Sequence, residues 1–497
     1  MFRRVTGQLN RYVRFTSTVT RDTVTVIPTV YELTDGKDVT PETNPDTSLI
    51  SYLQSRHLIE SITDDKLFII TKRNNDHKFK LYCGADPTAE SLHLGNLLPL
   101  MVLLHFRICG NDVIGLVGGA TGQVGDPSGR TTERTGLNLT EVEDNVSKIQ
   151  KQITNFLTNG IEYAKSRQFP MNKQIGEISS VNNESWWKDV KMLEFLSTYG
   201  KHIRVSAMLA RDSISSRLES GGIGFSEFTY QILQAYDFFH LYKKENVNMQ
   251  VGGNDQWGNI TAGIDLISRL KKSVNKTNEA YGVTVPLLTN PSGEKFGKSA
   301  GNAIFIDSKL TSPYQMYQYF INVPDDMVGK LLKTFTLLPL NVIEGELIPK
   351  HEADPGLRIA QRVLAREVVD LIHGVGVGDE IAYITGFLFP TPDQPFDDNV
   401  NADKLINNFK RSGILSKYPL EKCNDIKMST LLSEITGKSK SEIKRLIKSG
   451  GVYLGLDRDQ IEDPDDVVLF DKSHHLVDGK LMLIRIGKQN YYVVEFV

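Results

Sequence analysis

The sequence predicts an α/β protein built on a parallel sheet, followed by a helical region and a small α+β unit at the C-terminus. Three observations carry this. Strand-like and helix-like stretches alternate from about residue 47. The pattern turns helical between about 312 and 390. A basic helical stretch and two strand runs then close the chain.

Composition bounds the alternatives. The chain has 497 residues, 40% hydrophobic and 24% charged. That length suits roughly two to four domains. No apolar run approaches the roughly 20 residues needed to span a bilayer, so no membrane role is expected. The net charge is −3, so any nucleic-acid surface has to be local. Cys83, Cys109 and Cys423 lie far apart, with neither disulfide nor zinc spacing.

The first element is an address. "MFRRVTGQLNRYVRFTSTVTRD" places Arg3, Arg4, Arg11, Arg14 and Arg21 ahead of its first acid, Asp22. Phe2, Val5, Leu9, Tyr12 and Val13 share one face of a helix. Arg-rich, hydroxyl-rich and acid-poor is the signature of a mitochondrial transit peptide, expected over 1–21. A basic tail that binds nucleic acid is the plainer reading. Residues 22–46, with Pro28, Pro41 and Pro45, read as a linker.

The sheet follows. "FKLYCGAD" is a strand, "LHLGNLLPLMVLLHFRICG" a helix ended by Gly110, and "DVIGLVGGATG" a buried strand running into a glycine turn. Strand, helix, strand is a βαβ unit, so the expectation over 47–311 is a Rossmann-like catalytic domain. "SWWKDVKMLEFLSTYGKH" reads as one amphipathic helix in an insertion near 135–225, and "NMQVGGNDQWGN" as a further strand end turning into a helix. Residues 312–390 are helical, 391–420 read as a proline-rich acidic linker, and 421–497 form a compact tail.

Ligands in open parallel sheets sit at the carboxyl ends of strands. Three motifs fall there. In "YCGADPTAESLHLGN", Thr88 and His93 stand at a helix start, where N–H groups and the dipole favour phosphate. Taken singly, such a histidine is more often a satisfied surface residue. In "GGATGQVGDPSGRTTER", Asp126 offers a carboxylate for a cation, and Arg130 and Arg134 stand on a Gly/Ser/Thr-rich loop; the plain alternative is a glycine turn. In "QVGGNDQWGN", Gly252 and Gly253 permit close approach and Asp255 can accept from ribose hydroxyls; the plain alternative is an N-cap. A fourth stretch, "EKFGKSAGN", holds Lys295, Lys298 and Ser299 about a glycine. Alone it reads as a solvated loop, or else as a polyphosphate clamp.

Taken in order, these motifs resemble the ATP site of class I aminoacyl-tRNA synthetases. "HLGN" is similar to their His-x-Gly-His element and "KFGKS" to their Lys-Met-Ser-Lys-Ser loop. With "FTYQILQAYDF" added, the five motifs resemble tyrosyl-tRNA synthetases of the bacterial and mitochondrial type over about 47–497. The resemblance implies ATP-driven formation of tyrosyl-adenylate and transfer of tyrosine to tRNA(Tyr) in the mitochondrial matrix, by a homodimer that pairs through the insertion. It implies Mg²⁺ accompanying ATP and no permanently bound metal.

The resemblance also assigns residues. Tyr82 and Asp237 would bind the phenolic hydroxyl. Asp126, Tyr230 and Gln234 would hold the amino acid's ammonium end, Asp86 would also bind tyrosine, and Gln250 and Gln256 would help place the substrate and its carboxylate. Tyr230, Gln234 and Asp237 fall at helical spacing, so one face can present all three. Gly84, His93, Gly95, Gly252, Asp255 and Lys298 would bind ATP. Thr88, His93, Asn96, Arg130, Arg134, Lys295, Lys298 and Ser299 would stabilise the departing phosphates. Asn96 stands where the family has a second histidine; it donates a hydrogen bond but carries no charge. Residues 312–390 would reach the anticodon. "SKSEIKRLIKSGGVYL" resembles the S4 RNA-binding module, with Lys438, Lys440, Lys444, Arg445 and Lys448 toward RNA. The other readings are a tryptophan-specific enzyme and an RNA-binding protein with a degenerate catalytic body.

Overall fold

A computed structural model describes residues 47–73, 75–128, 139–211, 214–215, 218, 222–289, 303–389, 401–423, 426–466, 475–487 and 490–497. The address and linker expected over 1–46 lie outside them.

Six strands form the first sheet: β1 Ser61–Ile62, β2 Lys80–Ala85, β3 Asp112–Val117, β4 Ile178–Asn182, β5 Met249–Gly253 and β6 Tyr281–Val285. Their order is β1-β6-β5-β2-β3-β4. All neighbours are parallel except β1 with β6. The chain moves outward from β2 to β4 and then returns to place β5 on the other side of β2. The switch point therefore lies between the carboxyl ends of β2 and β5, where open α/β sheets bind ligands.

The Leu94–Ile108 helix is buried on nearly every face, which is why its sequence is apolar all round. It ends as the sequence predicts, with Gly110 at φ +86, where a Cβ would meet the Gln174 carbonyl at 2.8 Å.

Three expectations change. β4 is an integral strand, and the Leu139–Ser166 helix packs against β3 and β4. What stands apart from the sheet is therefore only about 183–224, not 135–225. The "SWWKDVKMLEFLSTYGKH" helix is two helices, Glu184–Trp187 and Met192–Thr198, broken at 188–191. The expected linker is ordered from 401: a helix spans Ala402–Phe409, and Leu415–Tyr418 forms a strand, β7.

The helical region centres on Ile359–His373, buried on 12 of its 15 residues. It shares one core with the first sheet. Arg167 ties the two together, bonding Glu367 and Asp370, whose side chains are fully buried. Burial alone would raise the Glu367 carboxyl, but the Arg167 and Arg366 guanidiniums outweigh it and hold it below the ordinary value.

The tail adds β8 Val452–Leu454, β9 Asp459–Gln460, β10 Leu476–Val477, β11 Leu481–Ile486 and β12 Asn490–Phe496. The order is β7-β12-β11-β8-β9. Its two faces separate by the alternation of a strand. Leu481, Leu483 and Val493 join the main core. Met482, Ile484, Val494 and Phe496 pack on Leu431, Leu432, Ile443 and Ile447 of the Met428–Thr436 and Lys440–Lys448 helices.

Candidate active site

Tyr82 on β2 sits in register between Gln250 on β5 and Ile114 on β3, so these side chains share one face of the sheet. Tyr82 and Gln250 are buried, and Tyr82 Oη and Gln250 Oε1 have no hydrogen-bond partner among the described residues. Buried polar atoms are rarely left so, and two at a switch point mark a place built for a polar ligand. Burial, and then the Asp237 carboxylate, push the Tyr82 hydroxyl well above the ordinary value, so it stays protonated and donates.

The Phe225–Glu245 helix faces this pocket. Its Asp237 accepts from Trp186 Nε1 at 2.8 Å and Trp187 Nε1 at 2.7 Å on Oδ1, and from Asn183 Nδ2 at 3.0 Å on Oδ2. Burial pushes its carboxyl up to about 7, against the pull of those three donors. Tyr230, two turns earlier, donates to Asp86 Oδ2 at 2.8 Å, and Thr121 donates to the other oxygen at 3.0 Å.

A second chain of bonds starts from Gln234. Asn259 Nδ2 donates to Gln234 Oε1 at 3.0 Å and to Gln256 Oε1 at 3.1 Å. Gln256 Nε2 then donates to Asp126 Oδ2 at 2.7 Å, while the Ser128 N–H donates to Asp126 Oδ1. Asp86, Asp126 and Asp237 all act electrostatically on the buried Tyr230 hydroxyl, raising it after burial itself. Three carboxylates about one phenol make a place for a cation.

The phosphate-side residues gather at the start of the Leu94–Ile108 helix. His93 is its N-cap, and its Nδ1 accepts from the Gly95 N–H at 3.0 Å. The ring proton therefore sits on Nε2, leaving a neutral donor. Asn96 Oδ1 accepts from the His93 N–H at 3.0 Å, closing a capping box. That gives Asn96 a structural reason independent of any ligand. Thr88, five residues ahead of His93, is exposed, and its N–H donates to the Asp86 carbonyl at 2.8 Å. Gly84 is exposed at the end of β2, where its backbone is open to approach. Gly252 and Gly253 end β5 ahead of Asp255, and a Cβ on Gly253 would meet the Asp255 carboxylate at 2.5 Å.

Arg130, Arg134, Lys295, Lys298 and Ser299 lie outside the described residues. The chain leaving the lysine segment is anchored, however. The Leu94 N–H donates to the Ile304 carbonyl at 3.1 Å, and the Ile306 N–H to the Leu92 carbonyl at 3.0 Å, either side of a bridge between His93 and Phe305. In the tail, Lys438 pairs with Glu442 at 2.7 Å and Lys444 with Asp465 at 2.9 Å, while Lys440, Arg445 and Lys448 are exposed.

Asn183, Trp186, Trp187, Thr121 and Asn259 are pocket residues that the sequence does not single out. Within its own stretch, "WW" reads as part of an amphipathic helix. The signal it carries is two adjacent indoles just past a strand end, where ligands bind.

The family of class I tRNA synthetases for tryptophan and tyrosine matches residues 74–387. The chain is 46% identical over 450 residues to the mitochondrial tyrosine–tRNA ligase of Saccharomyces cerevisiae, covering 90% of this chain and 89% of that one. It is 40% identical to the chloroplastic/mitochondrial tyrosine–tRNA ligase of Arabidopsis thaliana, covering 90% and 83%. Among solved structures, a C-terminally truncated mitochondrial tyrosyl-tRNA synthetase of Aspergillus nidulans superposes with a TM-score of 0.62 at 32% identity, covering 72% of this chain and 97% of that one.

Proposed function

The chain belongs to the class I aminoacyl-tRNA synthetases, in their tyrosine branch, and from that premise we propose how its residues carry out the reaction. The enzyme is a mitochondrial tyrosine–tRNA ligase: it joins tyrosine to ATP as tyrosyl-adenylate, releases pyrophosphate, and passes tyrosine to tRNA.

Tyr82 donates to the substrate's phenolic oxygen, and Asp237 accepts a hydrogen bond from its O–H. Phenylalanine would leave Tyr82 Oη unpaired and an acceptor position on Asp237 unfilled, and tyrosine-specific synthetases are themselves the standard example of rejection by an unpaired polar site. Asp86, Asp126, Tyr230 and Gln234 hold the ammonium end, with Gln256 fixed by Asn259 and Gln250 beside Tyr82. The amino acid's carboxylate then attacks the α-phosphorus of ATP. No covalent enzyme intermediate is needed, so catalysis is positioning plus stabilisation of charge. His93 Nε2–H and Thr88 face the phosphates, and Gly84, Gly95, Gly252 and Asp255 take the nucleotide, with Asn96 holding the helix start. Lys298 lies six residues before Ile304, whose carbonyl is bonded to the Leu94 N–H at the His93 helix start, and would act on the phosphates there. Lys295, Ser299, Arg130 and Arg134 would act on the same phosphates. Mg²⁺ would enter with ATP as part of the substrate.

Three coarser assignments belong to the same reading. The helices of 312–390 would approach the anticodon, and the S4-like tail would hold tRNA through Lys440, Arg445 and Lys448, with Lys438 and Lys444 partly neutralised by carboxylates. The chain would act as a homodimer in the mitochondrial matrix. Exposed apolar side chains crowd 192–225, among them Leu193 at 81% and Phe225 at 76%, as a subunit interface requires.

The observation that carries the proposal is the buried pair, Tyr82 Oη beside a carboxylate, at the switch point. ATP–pyrophosphate exchange with tyrosine, tryptophan and phenylalanine tests it. Exchange should follow tyrosine alone. Exchange driven by tryptophan would overturn the assignment of the pocket.

A further inference from the structure

We propose that Trp187 is a positioning residue that makes Asp237 a single-acceptor site for the phenol hydroxyl of tyrosine. This rests on the assignment of Asp237 to that hydroxyl.

The argument is a count of lone pairs. A carboxylate offers about four acceptor positions, two on each oxygen. Both indole N–H groups fall on Oδ1, from Trp186 at 2.8 Å and Trp187 at 2.7 Å. Asn183 Nδ2 takes one position on Oδ2 at 3.0 Å. Among the described residues one position remains, on Oδ2. It accepts one O–H, in one direction.

The two indoles are held by different neighbours, so they are not redundant. Trp186 stacks on His240 of the Phe225–Glu245 helix, with centroids 4.5 Å apart and planes at 14°. Trp187 leans on Tyr236 at 4.9 Å and on Phe195 of the Met192–Thr198 helix at 5.5 Å. Removing the Trp187 N–H would open a second acceptor position on Oδ1 and withdraw a donor from a buried anion. Donors to a charged group are the strong ones, and they favour the ionised form.

The titratable groups acting on Asp237 are Tyr82 from β2, Asp86 from the loop after it, and Tyr230 and Tyr236 from its own helix. His240 lies behind Trp186. Of these only Asp86 is a second carboxylate, and a substitution at 187 leaves its bonds from Tyr230 and Thr121 in place.

The test is Trp187→Phe in the full chain, which keeps an aromatic ring between Phe195 and Tyr236 and deletes the donor edge along with some ring volume. Tyrosine-dependent ATP–pyrophosphate exchange is followed against pH, with phenylalanine as competitor. The expected result is a rise of about tenfold in KM for tyrosine at neutral pH with KM for ATP unchanged, and an acid limb displaced to higher pH. Discrimination against phenylalanine should fall by a similar factor. In an Asp237→Asn background the same substitution should do nothing further. An equal loss at every pH with discrimination intact, or an additive loss in that background, would show that Trp187 only packs and would sink the proposal. The underlying reading fails separately: Asp237→Asn alone would then leave discrimination intact. If the phenylalanine variant does not fold, the benzothienyl analogue of tryptophan at 187, with sulfur in place of N–H, gives the same comparison at constant volume.

Discussion

Asp237 sets burial against charge, and the balance is readable as pH dependence. With three acceptor positions taken by Trp186, Trp187 and Asn183, a proton and the phenol would compete for the one left on Oδ2, and burial pushes the carboxyl up to about 7. Below that value the proton returns and the acceptor is lost. The expected outcome is that kcat/KM for tyrosine in the exchange reaction falls as pH drops below about 7; a profile flat to about pH 5 would contradict it. The sign for stability is opposite. The folded value lies above the roughly 3.9 of an unfolded chain, so this group's contribution is fullest below that and is lost as pH rises to about 7. Tyr82 carries a related tension, since its buried hydroxyl has no partner among the described residues. Tyr82→Phe should therefore leave stability unchanged or raise it by about 1 kcal/mol, while tyrosine KM rises about tenfold or more. Thermal unfolding and exchange kinetics on one preparation measure both.

Short elements do much of the positioning. The Glu184–Trp187 helix has four residues, too few to be stable alone, yet Asn183 at its start reaches three ways. Its Oδ1 accepts from the Ala120 N–H at 2.8 Å, and its Nδ2 donates to Thr121 and Asp237, both at 3.0 Å. One turn thus braces the glycine turn after β3 and the specificity carboxylate. A comparable clamp holds the helical region. Arg56 is fully buried after the Leu49–Ser55 helix and donates to the carbonyls of Lys333, Thr336 and Leu338 at the end of the Asp325–Phe335 helix. The Lys333 carbonyl is one of the orphans a helix end leaves behind, and those of Thr336 and Leu338 belong to the C-cap and the chain just past it. Arg56→Met keeps bulk and removes every donor, so stability should fall by about 3 kcal/mol, read from the denaturant midpoint.

Across the whole molecule, one continuous core joins the first sheet, the helical region and one face of the tail sheet. Arg167 is the ionic counterpart of that continuity, since it alone bridges the end of the Leu139–Ser166 helix to Glu367 and Asp370 among the ion pairs described. Among the described residues, Arg167→Met would leave Glu367 to Arg366 and Tyr163, and Asp370 to the Gly378 N–H alone, and should cost about 3 kcal/mol, with the catalytic and helical parts still unfolding together. The described pocket residues lie between 82 and 259, and the tail meets the main body through the opposite end of the chain. Removing the tail from 415, β7 included, should therefore spare tyrosine-dependent exchange while tRNA charging falls about tenfold or more, measured on the same enzyme.

Local pattern was enough to specify the parallel sheet, the glycine that stops the first long helix, and the strand ends and helix starts that meet at the switch point, while the roles of Tyr82 and Asp237 there came from the family resemblance. Strand ends, helix starts and helical spacing are local facts, visible in "FKLYCGAD", "HLGN" and "FTYQILQAYDF". Local pattern could not place β4 in the sheet or β7 in the tail, because both strands are short and their partners are far along the chain. Nor could it attach "WW" to Asp237, some fifty positions on, or turn Asn96 from a departed histidine into a cap. Those features exist only once the chain is folded: a buried carboxylate takes whichever donors the fold brings within reach, and hydrogen-bond geometry is set by distance in space, not in sequence.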